Sequence, residues 1–343
     1  MLTYFVSKSL YDEYGKRYPE LCYDILCFFT DKSKKSMLAG VLKKSGWKEE
    51  TNIKCASDFA THYKDKYKII DPHHKDEIMI QPKHVAKICD LLVENGSLEP
   101  VKVGNMNDYG RAMSFYTSSL DLGKLHSMKE MLVKRLNCFV YGFPYIYESN
   151  KVNVRPIIVK QGDDFSNGTC FNTVQGIVTA RHCLDKCDAI QIEGIKAATL
   201  KSARIYGLDG IDLTLIVPQS DYKWIDKFMT TKGDVLDDVL VMGYPKHCGF
   251  NALLTATTGA IAAIGQTHLE KYELMLLTGK IKGGNSGGPV INTEGYVVGV
   301  VTESSDAQGG YDKFGYGMAI PSSYLGKLKE IKNNYNFVDD IHR

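Results

Sequence analysis

From about Cys138 onward the chain is a succession of short apolar runs separated by glycine turns: "VRPIIVK", "GTCFN", "QGIVTA", "DAIQIEG", "IDLTLIV", "DVLVMGYP", "LLTATTGAIAAIG" and "YELMLLTG". Many short strands at regular spacing argue for an all-β sandwich or barrel. The last of them precede "KIKGGNSGGPVIN". There a tight turn feeds a hairpin with strands Pro289–Asn292 and Tyr296–Thr302. Before about residue 135 the period changes. Apolar residues recur at helical spacing in "SLYDEYGKRYPELCYDILCFFTD", "KSKKSMLAGVLKKSG", "QPKHVAKICDLLVENGS" and "SSLDLGKLHSMKEMLVKRLN". The predicted class is therefore an α+β multidomain chain. A mostly α-helical domain spans 1–130, and an all-β domain spans 131–343 and ends in a helix at Pro321–Lys332.

Composition excludes several functions. A net charge of +2 with 24% charged residues gives no argument for a nucleic-acid or anionic-membrane partner. No apolar run approaches the length of a membrane-spanning helix. The N-terminal segment is too charged and its apolar run too short for a secretory signal, so a cytoplasmic location is expected. Nine cysteines without a repeating framework read as free thiols in a reducing compartment. Cys22 with Cys27 and Cys183 with Cys187 are single pairs, and a zinc site needs a second matching pair, so no metal or other cofactor is expected. His73 and His74 read as a solvated loop, His247 and His268 as surface residues, and Cys170 as a core thiol.

The glycine run around Ser286 carries the chemistry. Glycine in a packed turn serves unusual backbone angles or close approach. A serine there is a candidate nucleophile if a base exists. His182 comes just after the apolar strand Ile177–Ala180, and Asp212 opens the strand "IDLTLIV". A carboxylate at the start of a buried strand is costly unless something pairs with it. Asp209 is a rival acid three residues earlier. Without its companions, Ser286 would read as a structural turn and His182 as a satisfied strand-end histidine. Together, histidine, aspartate and serine in that order suit a hydroxyl nucleophile, with His182 as base and Asp212 as its orienting partner.

"TARHC", "DLTLI" and "GNSGGPV" resemble the three catalytic motifs of trypsin-like, chymotrypsin-fold serine peptidases. "VLVMGYP", "TTGAIAAI" and "GYGMAIPSS" bring the wording nearest to the HtrA (Deg) branch, without a PDZ module. The resemblance covers roughly residues 138–335. It implies a double six-stranded β-barrel and a cleft between barrels. It implies catalytic His182, Asp212 and Ser286, and an oxyanion hole from the Gly284 and Ser286 N–H groups. It also implies a substrate pocket walled near Lys280, Thr302, Glu303 and Gly315. Asn285 replaces the aspartate that pairs with a clipped N-terminus in digestive relatives, so activation by clipping is not implied. Cys183 has no cysteine opposite it, so no disulfide is expected there. Lys280 at the pocket floor argues against Lys or Arg at P1. An acidic P1 paired with Lys280 and a small apolar P1 both stay open, and Glu303 could neutralise Lys280.

The leading function is a serine endopeptidase acting on protein or peptide substrates, with residues 1–130 as a regulatory or partner-binding domain. One alternative is a catalytically silent binding module, against which three intact motifs argue. Another is a DNA-binding N-terminal domain, since "KHVAKICDLLVENGSLEPVKVG" could be a helix followed by a wing. Its lysines interleave with acidic residues, which favours a solvated face.

Overall fold

The computed structural model describes residues 8–44, 46, 52–71, 73–102, 114–219, 222, 226–245, 253–266, 272–302 and 315–341. The chain divides into two compact units, Met1–Tyr145 and Ile146–Arg343. The expected boundary at 130/131 falls inside the helix Lys129–Tyr141. That helix cannot be cut there, because Leu136, Val140 and Tyr141 belong to the core of the first unit.

In the first unit the predicted helices shorten where their sequences dictate. Pro19 separates a helical turn at Tyr11–Gly15 from the helix Leu21–Thr30. The helix Pro82–Glu94 starts with proline at its first turn and stops at Asn95–Gly96, where Gly96 has φ +75°. Its apolar face (Val85, Ile88, Cys89, Leu92) packs into a core with Phe28, Phe29, Phe59, Tyr67 and Tyr116. Five short strands escaped the sequence reading. They are β1 (Lys54–Cys55), β2 (Lys68–Ile70), β3 (Glu77–Met79), β4 (Glu99–Val101) and β5 (Phe115–Thr117). Strands β2 and β3 form a hairpin, and the other three form a sheet of order β1-β5-β4. At two or three residues each, they are too short for a period of two to show.

The second unit contains the predicted β domain, and its fold is chymotrypsin-like. Strands β6 (Val154–Gln161), β7 (Asp164–Thr173), β8 (Gly176–Thr179), β9 (Ala189–Ile192), β10 (Arg204–Leu208) and β11 (Ile211–Val217) come first. Next come β12 (Asp238–Gly243), β13 (Thr255–Gln266), β14 (Glu273–Leu277), β15 (Pro289–Asn292), β16 (Val297–Val301) and β17 (Gly317–Pro321), which close into a barrel of order β12-β13-β14-β17-β16-β15. Its interior holds Val239, Val241, Ile261, Met275, Leu277, Val290 and Val298.

Two expectations are corrected here. The C-terminal helix is absent. Ser322–Lys327 is a 3-10 turn, and β18 (Lys329–Ile331) then pairs antiparallel with β10. Gly326 weakens any helix at that point, and the open edge of β10 offers backbone partners that a helix would forgo. Consequently the first half has seven strands rather than the six expected, in the order β18-β10-β11-β8-β7-β6-β9. Beyond β18 the chain reaches the opposite edge, where Phe337 bridges Ile190 of β9 and is fully buried among Ile157, Ile205 and Ile216.

Candidate active site

Strand β8 is buried along its whole length, and so is Ala180 beyond it, which gives the next turn a rigid base. The 3-10 turn Arg181–Cys183 presents His182 from that strand end. Asp212 is the second residue of β11, after the Asp209–Gly210 turn, where Gly210 has φ +78°. Asp212 Oδ1 accepts the His182 backbone N–H at 2.8 Å, and Oδ2 lies 2.7 Å from His182 Nδ1. The Thr302 hydroxyl donates to the same Oδ2. Asp209 instead stands fully exposed in its turn, 3.5 Å from the Arg181 guanidinium. Asp212 is therefore the carboxylate at His182.

Burial acts to lower the His182 pKa, but the Asp212 carboxylate and the nearby Cys183 outweigh it and hold the imidazole above its ordinary range. For Asp212, burial acts to raise the pKa. The bonds from His182 and Thr302 overcome it and keep the carboxyl below its ordinary value. Each partner thus favours the charged form of the other.

Ser286 is buried to 7% exposure in the glycine turn before β15. It lines one cavity of about 310 Å³ together with His182, Thr302, Cys183, Cys187 and the Ile281–Gly284 segment. Among the described residues the Ser286 hydroxyl has no hydrogen bond to His182; the two meet as neighbours in that wall. Looser contacts of this kind are usual before substrate tightens a site.

The glycines divide by role. Gly287 has φ +83°, and a Cβ there would come within 2.1 Å of the Thr169 carbonyl oxygen and 2.4 Å of Thr179 Oγ1. This turn packs backbone on backbone and admits no side chain. Gly284 has φ +96°, and its carbonyl accepts the Thr169 hydroxyl at 2.7 Å. That bond fixes the peptide on the oxygen side. Within the turn, the N–H groups of Asn285, Gly287 and Gly288 all have carbonyl acceptors. Among the described residues those of Gly284 and Ser286 have none. Two such donors two residues apart, one of them the serine's own, can stabilise an oxyanion.

The pocket residues are scattered. Lys280 is exposed and does not line the cavity; its carbonyl accepts the Thr257 hydroxyl at 3.2 Å. The residue facing inward is its neighbour Ile281, 6% exposed and in the barrel core. A Cβ on Gly317 would meet the Ile281 side chain at 2.3 Å, so that glycine makes room for the isoleucine. Thr302 lines the cavity but bonds Asp212, which the sequence reading missed. Gly315, with φ +70°, is exposed and outside the cavity. Glu303, His247 and His268 lie outside the described residues. Among the described residues, no cluster of three His, Cys, Asp or Glu could hold a metal ion. None of the described cysteines forms a disulfide.

Residues 167–300 match the family described as trypsin-like peptidase domain. The chain carries a trypsin-like serine peptidase domain. That domain is similar to the probable periplasmic serine endoprotease DegP-like of Chlamydia trachomatis, at 31% identity over 53% of this chain and 35% of the relative. It is also similar to the periplasmic serine endoprotease DegP of Salmonella typhimurium, at 29% identity over 47% of this chain and 34% of that one. The chain spans about a third of the length of the curated relatives it matches. A solved HtrA-type protease, AlgW with tripeptide, aligns at a TM-score of 0.42 and 22% identity, over 54% of this chain and 61% of that one.

Proposed function

We propose that the protein is a serine endopeptidase that cleaves peptide bonds through an acyl-enzyme on Ser286. His182 takes the Ser286 proton and delivers it to the leaving amine. Asp212 holds the imidazole by Nδ1 and stabilises its charged form, and Thr302 holds Asp212. The N–H groups of Gly284 and Ser286 receive the developing oxyanion. The observation that carries this reading is that His182, 2.7 Å from Asp212, lines one cavity with Ser286, whose own N–H and that of Gly284 have no acceptor among the described residues. The comparisons do not favour a silent binding module or a DNA-binding reading.

At P1, the exposure of Lys280 and the inward placement of Ile281 support a small apolar residue over an acidic or basic one. A reducing, cytoplasmic setting belongs to the same proposal, supported by the described cysteines, none of which forms a disulfide; the curated relatives are named periplasmic. Residues 1–145 would regulate the peptidase by binding a protein partner.

A fluorophosphonate probe tests the reaction. It should label the wild type on Ser286 and leave Ser286→Ala unlabelled, and failure to label the wild type removes the peptidase reading. Cleavage-site profiling should show Ala, Val or similar residues at P1. Lys280→Ala should leave that profile unchanged and Ile281→Ala should broaden it to larger residues; an Arg-dominated profile refutes the pocket assignment.

A further inference from the structure

The peptidase mechanism leaves one reactive group in the cleft unused. Cys183 Sγ lies 3.7 Å from His182 Nε2 and 3.6 Å from the Ser286 carbonyl oxygen. On its far side, a Cβ on Gly168 would come within 2.6 Å of that sulfur, so the β7 backbone closes it off. What remains open to Cys183 is the cavity it lines with His182 and Ser286. A second thiol, Cys187, lines the same cavity, with Sγ 3.9 Å from the Cys183 carbonyl oxygen. A thiol reacts as its thiolate, and an imidazole nitrogen beside it is the group that takes its proton.

We propose that Cys183 is a covalent modification site inside the cleft, taking one half of a low-molecular-weight disulfide of the glutathione class, and that the adduct shuts the cleft. Its effect on activity rests on the peptidase reading; the chemistry at sulfur does not. His182 Nε2 takes the proton from the Cys183 thiol. The sulfur attacks one sulfur of glutathione disulfide, the old S–S bond breaks, and the departing glutathione thiolate regains the proton from His182. One thiol and one disulfide become one mixed disulfide and one thiol, with no other oxidant. Because backbone encloses the sulfur on the Gly168 side, the added group extends into the cavity beside Ser286, where a peptide would lie. Cys187 Sγ lies instead against the carbonyl oxygens of Asp185 and Cys183, at 3.3 and 3.9 Å.

The test treats the full chain with glutathione disulfide, then maps adducts by peptide mass spectrometry and measures peptidase activity. The expected result is one glutathionyl group, on Cys183, in both wild type and Ser286→Ala. Labelling of His182→Ala should be about tenfold slower, and wild-type activity should fall about tenfold and return with dithiothreitol. Cys183→Ser, with Cys183→Ala as a second variant, should keep its own untreated activity after exposure. No adduct, an adduct on Cys187 instead, or an adduct on Cys183 without loss of activity overturns the proposal. The two readings separate cleanly. Fluorophosphonate labelling of Ser286 with an unmodified Cys183 sinks this site alone. A Cys183 adduct in a chain whose Ser286 is never labelled sinks the peptidase reading and leaves the thiol site standing.

Discussion

Asp212 gathers the His182 backbone N–H, the His182 ring and the Thr302 hydroxyl on two oxygens, and that arrangement sets how the base titrates. His182 must be neutral to accept a proton, and the carboxylate favours its charged form. Activity should therefore rise with pH through a limb lying above 6.5, the ordinary histidine value. Asp212→Asn should move that limb to lower pH while kcat/KM falls about 10⁴-fold. A pH–rate profile of both proteins checks the sign; a wild-type limb below the ordinary value contradicts it. Thr302→Val removes one bond from the acid, and a loss of about tenfold in kcat/KM with KM little changed is expected. Gly287→Ala tests the backbone instead. With φ +83° and a carbonyl at 2.1 Å from the added carbon, it should lower the melting temperature and stability by at least about 2 kcal/mol. An unchanged Tm would show that the turn is less tightly packed than its geometry states. His182, Asp212 and Ser286 were legible because each sits at a strand end or glycine turn that sequence punctuation marks. Thr302 was expected at the pocket wall, but its bond to Asp212 was not legible, because a threonine ending a strand looks like any β-former. Lys280 misled because its place in the chain says nothing of where its side chain goes; the adjacent Ile281 turned inward.

Among elements, the strands of the second unit were readable wherever burial gave them a pattern. Strands β6, β11 and β15 stand where the apolar runs put them. Strand β10 escaped because "ARIYGL" is short and mixed, and β18 because "KEI" has the composition of a helix. Only pairing with a neighbour makes a strand of such segments, and pairing is a tertiary fact. The same holds for β1, β4 and β5 in the first unit. Phe337 shows what the missed segment contributes. It is fully buried between Ile190 and Ile205, and truncation leaves a cavity in a core with no slack side chain to fill it. Phe337→Ala should cost about 3–5 kcal/mol, read as a shift in denaturant midpoint with unchanged slope. A loss under about 1 kcal/mol would mean that the tail is not part of that core.

At the scale of the whole molecule, two units with separate cores invite separation. Residues 146–343, expressed alone, should fold and label with fluorophosphonate, since the described catalytic and cavity residues all lie there. Under the regulatory proposal, its activity in cell lysate should differ from that of the full chain; identical activity in every condition removes regulation by residues 1–145. The path of the tail has a different consequence. The sheet that holds His182 and Asp212 has β10 near one edge and β9 at the other, and residues 329–338 engage both. During synthesis these residues leave the ribosome after His182, Asp212 and Ser286. The nascent chain thus holds His182, Asp212 and Ser286 before it can complete the sheet that aims two of them. Under the peptidase proposal birth order is a safeguard, and a chain stalled before residue 329 should stay inert toward a fluorophosphonate probe.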